Sequence, residues 1–101
     1  MTPKKESIKL LNKFQIAETE NFTSKIYDVK FRKIYKKLYN FVYPQLRINP
    51  FFGSNIKKLK GNFEGIYRYR IGNYRLFYLI ENEKILVLIL DIEERKDAYK
   101  L

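Results

Sequence analysis

Between Gly65 and Ile92 the chain reads G-I-Y-R-Y-R-I-G-N-Y-R-L-F-Y-L-I-E-N-E-K-I-L-V-L-I-L-D-I, with arginines set at every second position among apolar residues before the glycine-asparagine pair and an apolar run from Ile85 to Leu90. This pattern predicts three antiparallel strands joined by two tight turns. Gly72-Asn73 suits a two-residue hairpin loop, because glycine accepts the positive φ that such turns require. With that loop Ile71 faces Tyr74, Arg70 faces Arg75 and Arg68 faces Phe77. Alternation then gives the hairpin two unlike faces. Tyr67, Tyr69, Ile71, Tyr74, Leu76, Tyr78 and Ile80 form a side that suits packing under helices, while Ile66, Arg68, Arg70, Arg75, Phe77 and Leu79 form the other. The third strand, Ile85 to Ile92, is apolar on both faces and belongs in a central or covered position. If Asn82-Glu83 is a second two-residue turn, Arg75 falls beside Leu90 and Phe77 beside Leu88.

Upstream, Phe14 to Glu18 alternates and predicts a first strand. From Asn21 to Ile48 the period becomes helical, with Asn21 and Thr23 as capping candidates. One short helix is expected near Phe22 to Asp28 and a longer one near Lys30 to Arg47. Pro44 should kink or split the longer helix around Phe41 to Tyr43. Lys30, Arg32, Lys33, Lys36 and Lys37 give that helix a basic outer side, as expected of an amphipathic helix packed on a sheet. Asn49-Pro50-Phe51-Phe52-Gly53 ends it with turn chemistry. Ser54 to Asn62 reads as a basic loop carrying Lys57, Lys58 and Lys60, anchored by Ile56 and Leu59. Residues Met1 to Lys13 read either as a short helix capped by Ser7 or as a frayed extension. The expected fold is α+β: two N-terminal helices packed on a twisted, mainly antiparallel four-stranded sheet. Residues 14–101 form one domain and residues 1–13 an extension.

Composition changes this picture in two ways. Lys+Arg number 21 against 11 Asp+Glu, a net charge of +10, and there are 9 Tyr and 8 Phe. Such an excess favours a polyanionic partner, RNA or DNA first, with an acidic protein also possible. Genome bias explains excess lysine better than it explains clustered arginine. The chain has no cysteine and no histidine. That excludes disulfides, the usual zinc sites and Ser-His or Cys-His nucleophilic catalysis, and it fits a cytoplasmic protein. The longest apolar run, Ile85 to Leu90, is too short to cross a bilayer, so no membrane is expected.

The arginines then acquire a chemical meaning. Like charges facing each other across a ladder destabilise it, by about 1 kcal/mol at ~4 Å in bulk water and more in a dry site. A strand that keeps arginines where Thr or Val would serve better points to an anion site, and phosphate is the natural ligand. Arg95 and Tyr99 follow the last strand close to this end. Tyr99 can stack on a base or simply cover the sheet edge.

The run from Ile56 to Tyr99 resembles the RelE/ParE superfamily of type II toxins, most closely the RelE branch. The residues that carry the likeness are Leu59-Lys60-Gly61, then Tyr67 to Tyr78 and Arg95-Lys96-Asp97-Ala98-Tyr99, with Asn49-Pro50-Phe51 upstream. The resemblance implies two helices on a twisted, mainly antiparallel sheet. It also implies a ribosome-dependent mRNA endoribonuclease restrained by an acidic antitoxin. There the RNA 2′-hydroxyl attacks the adjacent phosphate, with no metal or other cofactor. By position, Arg75 matches the arginine on the scissile phosphate, Arg68 and Arg70 match positions often held by lysine, and Arg95 matches the arginine at the leaving oxygen. Tyr99 matches the tyrosine that orients substrate, and Lys57, Lys58 and Lys60 supply RNA-binding charge. Two positions depart from the family pattern. Arginine at 68 stays protonated and is a poor base, and Glu94 stands where many relatives have histidine. Lys58, Lys60, Glu64 and Glu94 are the remaining candidates for the base, or catalysis is electrostatic. The ParE branch, which poisons DNA gyrase without nuclease chemistry, and an inactive relative are the alternatives.

Overall fold

The computed structural model describes residues 14–95, so Tyr99 and the segment 1–13 lie outside the described residues. Five strands form one sheet: β1 (Gln15–Glu18), β2 (Ile56–Lys58), β3 (Ile66–Ile71), β4 (Tyr74–Glu81) and β5 (Leu86–Glu94), in the order β1-β5-β4-β3-β2. The β1–β5 pair is parallel and the other three pairs are antiparallel. The α+β class stands and the mixed sheet is mainly antiparallel, with one correction: it has five strands rather than four, because Ile56–Lys58 is a strand and not a basic loop.

Helix α1 (Glu20–Ile26) begins after Thr19, whose hydroxyl accepts from Phe22 N. The cap is therefore Thr19, not Asn21 or Thr23; threonine and asparagine can both cap, and only the backbone decides among the three. Residues 29–48 are helical throughout. A 3₁₀ turn (Val29–Phe31) leads into α2 (Arg32–Lys37), a π-helical turn (Leu38–Val42) and α3 (Tyr43–Ile48). Pro44 sits in the first turn of α3, where it lacks an N–H to donate. The wide turn just before it absorbs the break expected at that point.

The helices bury Phe22, Ile26, Ile34, Leu38, Val42, Tyr43 and Leu46 against Tyr69, Leu76, Tyr78, Val87, Ile89 and Ile92. This is the helix-facing side that alternation predicts for the hairpin. Tyrosines in it have partners: Tyr78 donates to Pro50 O at 2.7 Å and Tyr69 to Gln45 Oε1 at 2.7 Å. Tyr35 and Tyr43 both donate to the Glu18 carboxylate. Helix α1 covers the β5 edge beyond the end of β1. Thr19 Oγ1 and Asn21 Nδ2 donate to Leu90 O, and Lys25 Nζ donates to Ile92 O and to Asp91 Oδ1.

The β4–β5 connection differs from the expected two-residue turn. Asn82–Lys84 forms a 3₁₀ turn and Ile85 adopts a left-handed conformation (φ 51°). Glu81 therefore pairs with Leu86, and Leu79 with Leu88. A bulge follows, since Tyr78 pairs with Ile89 but Phe77 pairs with Asp91, leaving Leu90 as the extra residue. Strict alternation from Val87 and Ile89 would turn Asp91 toward the helices. The bulge instead buries Ile92, fully enclosed like its two predecessors.

Candidate functional site

The β3–β4 hairpin has the predicted register: Ile71↔Tyr74, Arg70↔Arg75 and Arg68↔Phe77. Gly72 takes φ 58° at the loop, a conformation that glycine adopts without strain. Arg70 and Arg75 thus stand directly across from each other, with Arg68 two residues along the same face. Strand β2 extends the row, since Lys57 pairs with Arg68 whereas Lys58 pairs with Tyr67. Of the three lysines expected to bind RNA, Lys57 shares the arginine face and Lys58 shares the opposite one. Lys60 stands exposed in the β2–β3 connection, as does Glu64.

Strand β5 brings in the fourth arginine. Arg95 N donates to Asn73 O at 2.6 Å, fixing the end of β5 beside the hairpin loop. The bulge decides which acidic residue reaches the cluster. Arg75 pairs with Glu93, not with Leu90, and Tyr74 pairs with Glu94. Glu94 therefore lies on the side of the tyrosines, and the carboxylate beside the arginines is Glu93. Arg75 Nη2 lies 3.4 Å from Glu93 Oε1, in a pair open to solvent on both sides. The sequence reasoning missed Glu93, because no feature of the apolar run Ile85 to Leu90 marks a skipped residue.

Charge on this face is only partly compensated. The Nε atoms of Arg68 and Arg75 are buried and have no hydrogen-bond partner. Burial first, and then the charges of Arg70, Arg75 and Arg95, hold the Arg68 guanidinium below the ordinary arginine value. A guanidinium so placed still carries its proton at neutral pH. Its environment improves when an anion arrives to satisfy the unpaired donors.

Two cavities adjoin the cluster. One of about 890 Å³ is lined by Arg75, Glu93 and Arg95 together with Lys25, Lys30 and Phe31. The other, about 330 Å³, is mainly apolar and lies on the arginine face beside Phe77. The arrangement can hold a phosphate group on two to four guanidinium ions and neutralise charge that develops on it. Among the described residues no group of three or more His, Cys, Asp or Glu could hold a metal ion, and no helix is long and apolar enough to cross a membrane.

Comparison with known proteins bears on the family and the fold. The family model described as ParE toxin of type II toxin-antitoxin system, parDE, matches residues 25–99. Among solved structures, the RelBE2 toxin–antitoxin complex of Mycobacterium tuberculosis aligns with a TM-score of 0.71 at 24% identity, covering 81% of this chain and 98% of that one. The archaeal RelE–RelB complex of Pyrococcus horikoshii aligns at 0.60 and 18% identity, covering 83% and 97%. The YoeB–YefM complex of Staphylococcus aureus aligns at 0.61 and 23% identity, covering 79% and 94%. At these identities the likeness is one of fold. No curated protein matches the sequence.

Proposed function

We propose that this chain, which belongs to the ParE toxin family of type II toxin–antitoxin systems, is a toxin that cleaves mRNA on the ribosome through its arginine face. The observation that carries the reading is the juxtaposition of Arg70 and Arg75 across the hairpin, with Arg68 and Arg95 close enough to perturb one another. A sheet face that concentrates four guanidinium ions, two of them with unpaired buried Nε donors, suits a phosphate that gains charge in a transition state better than it suits a static fold.

The RNA 2′-oxygen bonds to phosphorus while the P–O5′ bond breaks, giving a cyclic phosphate and a 5′-hydroxyl. The 2′-hydroxyl proton passes to solvent, and a solvent proton completes the 5′-hydroxyl. Arg75 and Arg70 stabilise the non-bridging oxygens, Arg95 the leaving oxygen, and Arg68 with Lys57 holds the flanking backbone. Tyr99 would orient the substrate. An acidic antitoxin would restrain the toxin by neutralising this face, consistent with the net charge of +10.

Translating ribosomes mixed with the protein should yield mRNA fragments with 5′-hydroxyl ends. Arg75→Ala should slow that cleavage by about 10²–10³-fold, the usual loss when one preorganised oxyanion donor is removed. The match to the ParE family favours a second reading, in which the same basic face inhibits DNA gyrase by binding alone. Intact mRNA together with stalled gyrase–DNA complexes would establish that reading instead.

A further inference from the structure

The apolar cavity of about 330 Å³ on the arginine face is formed by Leu59, Phe63, Ile66, Phe77 and Leu90, with Glu93 at its rim. Its position follows from the register. Phe77 is the cross-strand partner of Arg68 on one side and of Asp91 on the other. Arg75, two residues before Phe77, stands opposite Glu93. Two residues along a strand span about 7 Å, so the cavity begins one side-chain row away from the guanidinium cluster.

Its roof is built by the β2–β3 connection. Gly61 (φ 69°) opens a 3₁₀ turn whose last residue is Phe63, and Gly65 (φ 91°) follows it before β3. Phe63 lines the cavity while remaining 59% exposed to solvent. An aromatic ring held over an open apolar cavity adds little to a hydrophobic core. The volume lies at the small end of the range for ligand sites, about 300–1,000 Å³.

The geometry points to this cavity as a seat for a single unpaired nucleobase of the RNA whose phosphate rests on Arg70 and Arg75. The inference rests on the proposed function and adds a base subsite to it. Phe63 and Phe77 offer ring faces for stacking, as aromatic side chains do for splayed-out bases. Glu93 supplies a hydrogen-bond acceptor at the rim. In the free protein its carboxylate is engaged, loosely, by Arg75 at 3.4 Å. A phosphate on Arg75 replaces that partner and leaves the Glu93 oxygens facing the base. The other rim carboxylate, Asp91, is already held by Lys25 at 2.6 Å and by Ile92 N at 2.8 Å. A free carboxylate accepts from an exocyclic amino group, as with cytosine N4, and repels the carbonyl edge of uracil. The subsite should therefore prefer an amino-bearing base.

The test uses fluorescently labelled 2′-O-methyl hexanucleotides, which cannot be cleaved, and reads binding to the whole chain by anisotropy at one fixed salt concentration. Cytosine and uracil oligomers are compared because the two bases are similar in size. The wild-type protein should bind oligo(C) about ten-fold more tightly than oligo(U), the discrimination expected of one good side-chain–base pair. Glu93→Ala should collapse that ratio toward one. Phe63→Ala, at an exposed position that leaves the core intact, should weaken both oligomers about five-fold or more. Unchanged affinity in Phe63→Ala, or a C-to-U ratio that survives Glu93→Ala, overturns the subsite. Arg75→Ala separates the two levels of the argument. If it weakens both oligomers while the Phe63 and Glu93 variants behave as wild type, phosphate binding stands and the base subsite falls. If Arg75→Ala binds RNA as well as wild type, the proposed function itself falls.

Discussion

The two faces of one β-hairpin are built to opposite rules. On the helix side Leu76 and Tyr78 are fully enclosed, and the Tyr78 hydroxyl donates to Pro50 O. On the other side the same strands carry Arg68, Arg70 and Arg75 next to one another, two buried guanidinium nitrogens lack partners, and an apolar cavity stands open. The buried tyrosines of one face, Tyr69 and Tyr78, meet their hydrogen-bonding needs within the chain. The other leaves two guanidinium nitrogens unpaired and apolar area open. Under the proposed function, alternation along a strand separates stability from recognition at the distance of one residue.

The sharpest way to break that contrast is to delete equal volumes from both faces of β4. Leu76→Ala should lower unfolding free energy by about 2–5 kcal/mol in urea denaturation, as large-to-small changes in packed cores do. Leu79→Ala, on the half-buried arginine side, should cost clearly less. Equal losses at the two positions would mean that both faces bear the fold equally, and the division of labour would be wrong.

A second test concerns the phenols on the helix side. Burial first, and then the neighbouring Glu18 carboxylate, raise the Tyr35 and Tyr43 hydroxyls well above the ordinary phenol range. Burial also raises Tyr78, with Tyr67 and Tyr69 adding to it. A group whose pKa is raised on folding keeps its proton in the native state after the unfolded chain has lost it. Its contribution is complete below the unfolded value near 10 and is lost as pH rises through the folded value. Wild-type stability should therefore fall from about pH 10 upward. Tyr43→Phe removes one donor to Glu18 and should lower stability at pH 7 by about 1–3 kcal/mol, while its loss above pH 10 should be shallower than that of wild type. Thermal denaturation between pH 7 and pH 11 reads both effects, and an equal alkaline slope in the variant would remove Tyr43 from the explanation.

How much of this was legible in the sequence depends on how strongly each element announces its period. The β3–β4 hairpin is written by its two-residue loop Gly72-Asn73 and the spaced arginines on either side, and its register, including Arg70 opposite Arg75, follows without the structure. Strand β2 is three residues long and two of them are lysines. It exists because β3 offers it an edge, a tertiary cause that no local pattern records. The bulge at Leu90 is hidden for a different reason. In a run of consecutive aliphatic residues every register looks equally good, and only Asp91, which strict alternation would turn inward, hints that a residue must be skipped. That one insertion exchanged Glu94 for Glu93 at the site, and together with the longer β4–β5 turn it replaced Leu90 by Glu93 as the partner of Arg75. The arginines were therefore readable and their acidic neighbour was not.

The smallest expected effect tests the contrast most directly. If Arg70 is kept for a ligand and not for the fold, its replacement should help the free protein. Arg70→Thr removes a like charge from directly opposite Arg75 and places a good strand former in an exposed strand position. Relief of one cross-strand repulsion is worth about 0.2–1 kcal/mol, which raises Tm by roughly 1–6 °C for a domain of this size. The gain should shrink as ionic strength rises, since exposed charges are screened over about 8 Å at physiological salt. RNA affinity should fall in the same variant. A lower Tm for Arg70→Thr at low salt would show instead that Arg70 supports the folded chain, and the like-charged pair would no longer distinguish the recognition face from the packed one.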